Sequence, residues 1–211
     1  MRRDAIIEAT IRVVGRKGYR ATTVGDVIAE AGVARTTFYK HFDDKHECFV
    51  AAYELTARRT LAAIESGCDE EGPWPDRARA GLASLVELLA ADPSLARLVV
   101  VEAAVAGVEG RRRQLALLER CAELLERGRE ASPSGASPRP EPPEAAGPMA
   151  AGAVAGLLFD EIQAGRATEL RQRLPDLLFA LLVPYLGPQE AAASARPWTT
   201  TGWRSSYTAS R

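Results

Sequence analysis

Residues 22–45, TTVGDVIAEAGVARTTFYKHFDDK, decide the fold of this chain. The hydroxyl residues Thr22 and Thr23 precede an apolar-periodic run, which is the chemistry of a helix N-cap. Gly32 then permits a sharp turn where a side chain would clash, as in a helix-turn-helix. The apolar residues between cap and turn recur at helical spacing and predict one buried face: Val24, Val27, Ile28 and Ala31.

A second, shorter helix is predicted from about Arg35 to Phe42. Phe38 and Phe42 stand four residues apart, so both point inward from the same face. Short donors, an aromatic hydroxyl and cations occupy the other faces, and such side chains suit a DNA major groove. These residues are Arg35, Thr36, Thr37, Tyr39, Lys40 and His41.

From about Arg3 to Tyr53 the chain resembles the DNA-binding domain of TetR-type transcriptional regulators. The matching stretches are AIIEATIRVVGRKGYRATTV, AGVARTTFYKHF and DDKHECFVAAY. The resemblance implies an all-α fold, with an N-terminal three-helix domain that contains the helix-turn-helix and a larger helical domain for effector binding and dimerisation. It also implies a ligand-responsive regulator, in most cases a repressor that leaves its double-stranded operator DNA when a small molecule binds.

The resemblance places the second helix of the motif in the major groove. Residues early in that helix then reach base edges, and residues near helix ends contact the backbone and phosphates. Other roles stay open for three of them: Tyr39 as a packing residue, His41 as a helix cap and Lys45 as a solvated charge. The implied DNA-contacting set is Thr23, Arg35, Thr36, Thr37, Tyr39, Lys40, His41 and Lys45.

Gly25 departs from the family pattern, which often has a basic or polar residue two positions past the capping threonine. Glycine removes that contact and leaves the recognised base sequence open.

Periodicity predicts about nine helices in all and no strand. A helix-turn-helix domain is expected at 1–46 and a helical effector-binding and dimerisation domain at 47–187. Residues 132–148, SPSGASPRPEPPEAAGP, are too rich in Pro, Ser and Gly to bury a core and predict a flexible loop. A disordered polar tail is expected at 188–211.

The last two helices of the second domain carry unusually apolar sequences. AVAGLLF at 153–159 and LPDLLFALLVPYL at 174–186 are too apolar for helices buried on one side only. They predict a homodimer that pairs these helices in a four-helix bundle, with Gly152 and Gly156 allowing close approach. An ordinary intrachain core is the alternative.

The effector is unknown from the sequence, and two residues are candidates for its pocket. Glu102 lies in the apolar run LVVVEAAVAG and needs a partner or a proton. It either faces a ligand with cationic or donor groups, or forms an ion pair with an arginine of the same core. Trp74, in GPWP, either lines a pocket mouth or plugs a loop.

Charge distribution and cysteine spacing agree with the hypothesis of a DNA-binding regulator. Residues 1–60 carry 11 Lys and Arg against 8 Asp and Glu, whereas residues 61–211 carry 16 against 20, so the front is the basic part. Three widely spaced cysteines argue against a disulfide framework or a zinc site, so no metal and no cofactor is expected. No signal-peptide or membrane-spanning run is visible, and a cytoplasmic setting is expected.

Two competing functions remain. An enzyme would have to pair Cys121 with His41 or His46, and both histidines belong to the predicted DNA-reading segment, so no catalytic residue is expected. A helical scaffold that has lost DNA binding would leave Arg35, Thr36, Thr37 and Lys45 unexplained.

Overall fold

The computed structural model describes residues 2–68, 72–130 and 141–195, in which nine helices follow one another without a strand. Helices α1 to α5 are Arg2–Lys17, Val24–Ala31, Arg35–Tyr39, Lys45–Cys68 and Trp74–Ala91. Helix α6 is composite, with an α-helical turn Pro93–Arg97, a π-helical turn Leu98–Glu102 and a last α-helical turn Ala103–Val105. Helices α7, α8 and α9 are Val108–Glu130, Ala146–Gln163 and Leu174–Ser194, and a 3-10 helix, Ala167–Arg173, precedes α9. The all-α prediction is confirmed.

Helices α1 to α3 form a small domain around a shared core. Helix α1 turns one face into this core, where Ile6, Ile7, Thr10, Val13 and Val14 are all buried. Phe38 and Phe42 are buried as well, with their ring centroids 5.8 Å apart. Gly18 ends α1 in a left-handed conformation (φ +81°) and returns its N–H to the carbonyl of Val14 at 2.8 Å.

Helix α4 connects this domain to the larger one. Its N-terminal half buries Phe49 and Tyr53 in the core shared with the first three helices, while its C-terminal half packs along α5. Asp92 caps the start of α6, since its carboxylate accepts the N–H groups of Ser94 and Leu95, both at 3.0 Å. Helices α8 and α9 pack on each other and on α7 and α5, which completes the larger domain. We call this domain, formed by α4 to α9, the body.

Three predicted boundaries were wrong. Helix α3 ends at Tyr39 rather than Phe42, because Lys40 and His41 form a turn in which the N–H of His41 donates to the carbonyl of Phe38. Helix α8 begins at Ala146, so the last residues of the predicted loop 132–148 are helical, and 132–140 lie outside the described residues. The disordered tail predicted at 188–211 is wrong for 188–194, because α9 continues past a kink at Gly187 and buries Ala191. Residues 196–211 of the predicted tail lie outside the described residues.

Candidate nucleic-acid interface and ligand cavity

The helix-turn-helix geometry follows from two caps. Thr23 is the N-cap of α2, and Asp26 returns the interaction by accepting the backbone N–H and the hydroxyl of Thr23, both at 2.8 Å. Gly32 ends α2 in a left-handed conformation (φ +62°), which a residue with a Cβ adopts only at a cost. Thr22 has a different role, because its buried hydroxyl donates to the carbonyl of Gly18.

The side chains predicted to read DNA share one exposed surface of α3 and the turn after it. Five of them are exposed and Thr37 is half-buried, while Phe38 anchors the helix from the opposite face. We call this surface the reading face; its residues are Arg35, Thr36, Thr37, Tyr39, Lys40 and His41.

Tyr39 is held in position although 46% of its surface is exposed. Its ring meets that of Phe38 edge-on at 5.3 Å, and the Arg35 guanidinium lies 5.6 Å from its centroid. Nη2 of Arg35 also lies 3.4 Å from the Tyr39 hydroxyl. The side chain therefore packs against Phe38 and Arg35 and is 46% exposed, which suits a contact of its hydroxyl to a phosphate.

Thr23 and Lys45 flank the reading face at the starts of α2 and α4. The Thr23 hydroxyl is exposed but already takes part in the α2 cap. The Lys45 ammonium donates to the carbonyl of Tyr19 at 3.1 Å and lies 4.5 Å from that ring's centroid. Lys45 is thus tethered and half-buried rather than simply solvated, and its predicted phosphate contact would have to compete with Tyr19.

Tyr19 connects three parts of the molecule. Its carbonyl accepts from Lys45, its ring packs on Phe49 at 4.6 Å, and its hydroxyl lies 3.2 Å from Nδ1 of His46. Its backbone N–H donates to a carboxylate oxygen of Glu102 at 2.8 Å. Burial raises the pKa of Tyr19, with a smaller contribution from the negative charge of Asp44.

Glu102 does not have the ligand-facing position considered for it. Its carboxylate, 4% exposed, accepts from Nε of Arg97 at 2.9 Å and from the N–H of Tyr19, and it is outside the lining of the cavity described next. The ion pair with an arginine of the same core is the arrangement found. The sequence could not show that this pair also reaches the first domain.

A cavity of ≈ 140 Å³ lies inside the body, among helices α4 to α9. One water needs about 10–15 Å³ on this scale, so the space would hold roughly ten waters or methylene-sized groups. Its walls are mostly Leu, Val, Ile and Ala, which favours an apolar occupant. The polar lining residues are Thr60, Arg77 and Gln114, beside Trp74, Cys68 and Cys121.

Trp74 is one of the residues that line this cavity, and its contact with a ligand stays a prediction. Its indole N–H donates to the carbonyl of Leu125 at 3.2 Å, and its ring meets Tyr185 edge-on at 4.9 Å. The Tyr185 hydroxyl in turn donates to Glu126 at 2.8 Å. Trp74 therefore joins α5, α7 and α9 at one end of the cavity.

Sequence reasoning missed Tyr19 and Arg77. Tyr19 directly follows the glycine that stops α1, and such a position packs against whatever the turn faces. Arg77 is a basic residue in the first turn of α5 among apolar lining residues, and that pattern alone did not distinguish it from a solvated charge.

The alternative of a cysteine enzyme finds no support in this geometry. Cys121 lines the cavity, whereas neither histidine does, and His46 instead contacts Tyr19. Burial raises the pKa of the Cys121 thiol to about 11, which is the reverse of what a nucleophile needs. Cys48 and Cys121 are free thiols.

Within the described ranges, no group of three His, Cys, Asp or Glu side chains is placed to hold a metal ion. Among the helices of those same ranges, none combines the length and apolarity needed to span a membrane.

The sequence is similar to those of known bacterial regulatory proteins. The family model for bacterial regulatory proteins of the tetR family matches residues 6–52. The fatty acid metabolism regulator protein of Bacillus subtilis is 23% identical over 121 residues, which cover 57% of this chain and 62% of that protein. The chain thus spans less than two thirds of the curated relatives it matches first.

Solved structures match over most of the chain. The fatty acid degradation regulator FadR from Bacillus halodurans superposes with a TM-score of 0.69 at 22% identity, covering 87% of this chain and 95% of that one. The transcriptional regulator FadR from Bacillus subtilis, solved in complex with stearoyl-CoA, has a TM-score of 0.59 at 18% identity, covering 87% and 98%. At these identities the likeness shows a common fold.

Proposed function

We propose, from the premise that this chain belongs to the tetR family of bacterial regulatory proteins, that it is a ligand-responsive repressor. It binds operator DNA through the reading face and leaves that DNA when a small molecule fills the body cavity. The observation that carries this proposal is the exposed set of donors and cations on α3 and the turn after it, anchored by buried Phe38 and Phe42. Cytoplasmic action, beside the DNA, is part of the proposal.

Roles within the reading face follow from position and chemistry. Arg35, Thr36 and Thr37 open α3, where base edges come within reach, and arginine can bind a guanine with two hydrogen bonds. Tyr39, Lys40 and His41 close it and suit phosphates. Thr23 and Lys45 supply flanking phosphate contacts from the starts of α2 and α4.

A homodimer through α8 and α9 completes the proposed regulator. One helix-turn-helix covers only one half-site, so two copies are needed for an operator. Leu157 and Phe179 are large apolar residues with 40% and 36% of their surface exposed, and Met149 reaches 56%. An apolar stripe at helical spacing supports the pairing of α8 with its copy: Met149, Gly152, Ala153, Gly156 and Leu157, all exposed.

The cavity supports an effector with a substantial apolar part. Its lining is dominated by aliphatic side chains from six helices. Regulators of fatty acid metabolism and degradation share the fold, and one of them was solved with stearoyl-CoA. We therefore place the effector of this chain among molecules that carry an alkyl or acyl chain.

The path from cavity to DNA is proposed to run through α6. Val99 and Val100 line the cavity within the π-helical turn that ends at Glu102, whose carboxylate holds the N–H of Tyr19. A π-helical turn inside an α-helix is rare and often lies at a functional site. An occupant that prefers a different arrangement of this turn would shift Tyr19 and the start of α4.

Selection of bound sequences from a random pool of DNA duplexes tests the proposal. We expect enrichment of two inverted half-sites whose centres lie about 10 base pairs, or a multiple of that, apart. Tyr39→Ala, selected in parallel, should enrich no sequence. A wild-type protein that enriches nothing would refute the regulator and leave the helical scaffold.

A further inference from the structure

The cavity has a single charged residue in the lining that the structure describes. Arg77 stands in the first turn of α5, and every other lining residue is apolar or neutral. Lining residues continue along α5 as far as Leu89, which is twelve positions later and about 18 Å away at the rise of an α-helix. The cavity therefore has a cationic end and a long apolar remainder.

The guanidinium of Arg77 retains donors that no protein group uses. Its Nη2 donates to the carbonyl of Gly128 at 2.6 Å, near the C-terminus of α7. Its Nε is buried and has no hydrogen-bond partner, and no carboxylate of the described residues forms an ion pair with it. A buried donor without a partner is unfavourable, and a ligand acceptor would relieve it.

Capping of α7 does not account for this arrangement. The cap uses one of the five N–H donors of the guanidinium, and Trp74 already donates to another carbonyl of the same helix end, that of Leu125. A lysine or a neutral donor would suffice for a cap, whereas a planar guanidinium suits a carboxylate or phosphate.

We propose that Arg77 binds the anionic end of an amphiphilic effector whose alkyl chain fills the rest of the cavity. The inference rests on the proposed function, in which this cavity is the effector site. A chain of roughly ten methylene groups matches the volume. The anion is either a carboxylate at the end of the chain or a phosphate of a conjugate such as an acyl-CoA.

Four ligands with the same alkyl length test the inference by calorimetric titration of the full chain: dodecanoate, dodecanoyl-CoA, dodecanol and dodecyltrimethylammonium. We expect at least one of the two anions to bind about tenfold or more tightly than the alcohol, and the cation to bind most weakly. The anion that shows this preference identifies the source of the negative charge.

Variants at Arg77 separate charge recognition from folding. Arg77→Met should lose the preference for the anion and keep the wild-type affinity for dodecanol, which shows that the cavity is intact. Arg77→Lys should retain part of the preference. Arg58→Met removes an exposed arginine of α4 that lies outside the cavity lining and should leave the preference unchanged.

Three results would overturn the inference: equal affinity of the wild type for anions and alcohol, a preference that survives in Arg77→Met, or no binding of any dodecyl ligand. DNA binding by the same preparations distinguishes this failure from that of the regulator. A protein that binds its operator without anion preference refutes only the role of Arg77. A protein with anion preference that selects no DNA refutes only the regulator.

Discussion

The carboxylate of Glu102 accepts the backbone N–H of Tyr19 at 2.8 Å, and this hydrogen bond joins the body to the DNA-binding domain. The other carboxylate oxygen accepts from Arg97 at 2.9 Å, so both oxygens of a buried acid are engaged. The carbonyl of Tyr19 in turn accepts a hydrogen bond from the ammonium of Lys45 at the start of α4. A change in the π-helical turn of α6 would therefore reach the DNA-binding domain through the hydrogen bonds of Tyr19.

Replacement of this acid should weaken the junction. We expect Glu102→Gln to lower the free energy of unfolding by about 2 kcal/mol, because it removes the charge that pairs with Arg97 from a buried site. Urea denaturation followed by circular dichroism measures the loss. Glu123→Gln, which removes the acid of the exposed pair with Arg120, is the control and should leave stability unchanged. Equal stability of Glu102→Gln and wild type would contradict the structural role.

The contribution of the α2 N-terminus to the stability of the fold should decrease at acid pH. Hydrogen bonds from Lys17 and then Thr23 lower the pKa of Asp26 from 3.8 to about 2. A lowered pKa in the folded state stabilises the protein above the unfolded value near 4, and this contribution disappears as the pH falls towards 2.

Asp26→Asn isolates that contribution. The variant should be less stable than wild type at pH 7, and the difference should shrink between about pH 4 and pH 2, where the wild-type carboxylate becomes protonated. Paired thermal melts across this range measure the difference. A difference that stays constant from pH 7 to the acid limit would show that the Asp26 charge plays no part.

Gly156 offers a test of the proposed dimer. A Cβ at this position would meet nothing within 4 Å in the single chain, so Gly156→Arg fits the isolated fold. In the proposed dimer the same side chain would separate two apposed α8 helices and bury a charge. We expect sedimentation to show a dimer for wild type and a monomer for the variant. The control variant Gln163→Arg, at the exposed end of α8, should remain dimeric. A dimeric Gly156→Arg would show that the interface does not include this face of α8.

Two leucines of α7 test whether the cavity is the effector site. Leu118 lines the cavity, whereas Leu115 is 44% exposed on the same helix and lies outside the lining. Leu118→Trp should fill the space and weaken dodecyl ligand binding about tenfold, while DNA binding is retained. Leu115→Trp should match wild type in both assays. Undiminished ligand binding by Leu118→Trp would place the effector outside this cavity.

Local chemistry explains why much of the fold could be predicted. The Thr23 cap, the left-handed Gly32 and the buried pair Phe38 and Phe42 depend on residues a few positions apart, and the structure has each of them. The Asp92 cap of α6 is another such case. Periodicity and capping are readable from neighbours, so helices and their inward faces follow from the sequence.

Features that depend on distant residues could not be predicted. Glu102 and Tyr19 are 83 positions apart, so the sequence showed an acid in need of a partner and not which partner it has. Arg77 is the single charged residue in the described lining of the cavity, and its place there depends on the packing of six helices that are distant in the sequence. The continuation of α9 past Gly187 was missed because glycine and proline there suggested an end, whereas tertiary packing buries Ala191.

The most direct test of the regulator is a fluorescence-anisotropy titration with DNA from upstream of its own gene, at two salt concentrations. Lys40→Ala and Arg58→Ala each remove one exposed positive charge, the first from the reading face and the second from the middle of α4. We expect sequence-specific binding by wild type, about tenfold weaker binding and a salt dependence reduced by about one phosphate contact for Lys40→Ala, and wild-type behaviour for Arg58→Ala. Equal binding by all three proteins, or no preference over random DNA, would contradict the account.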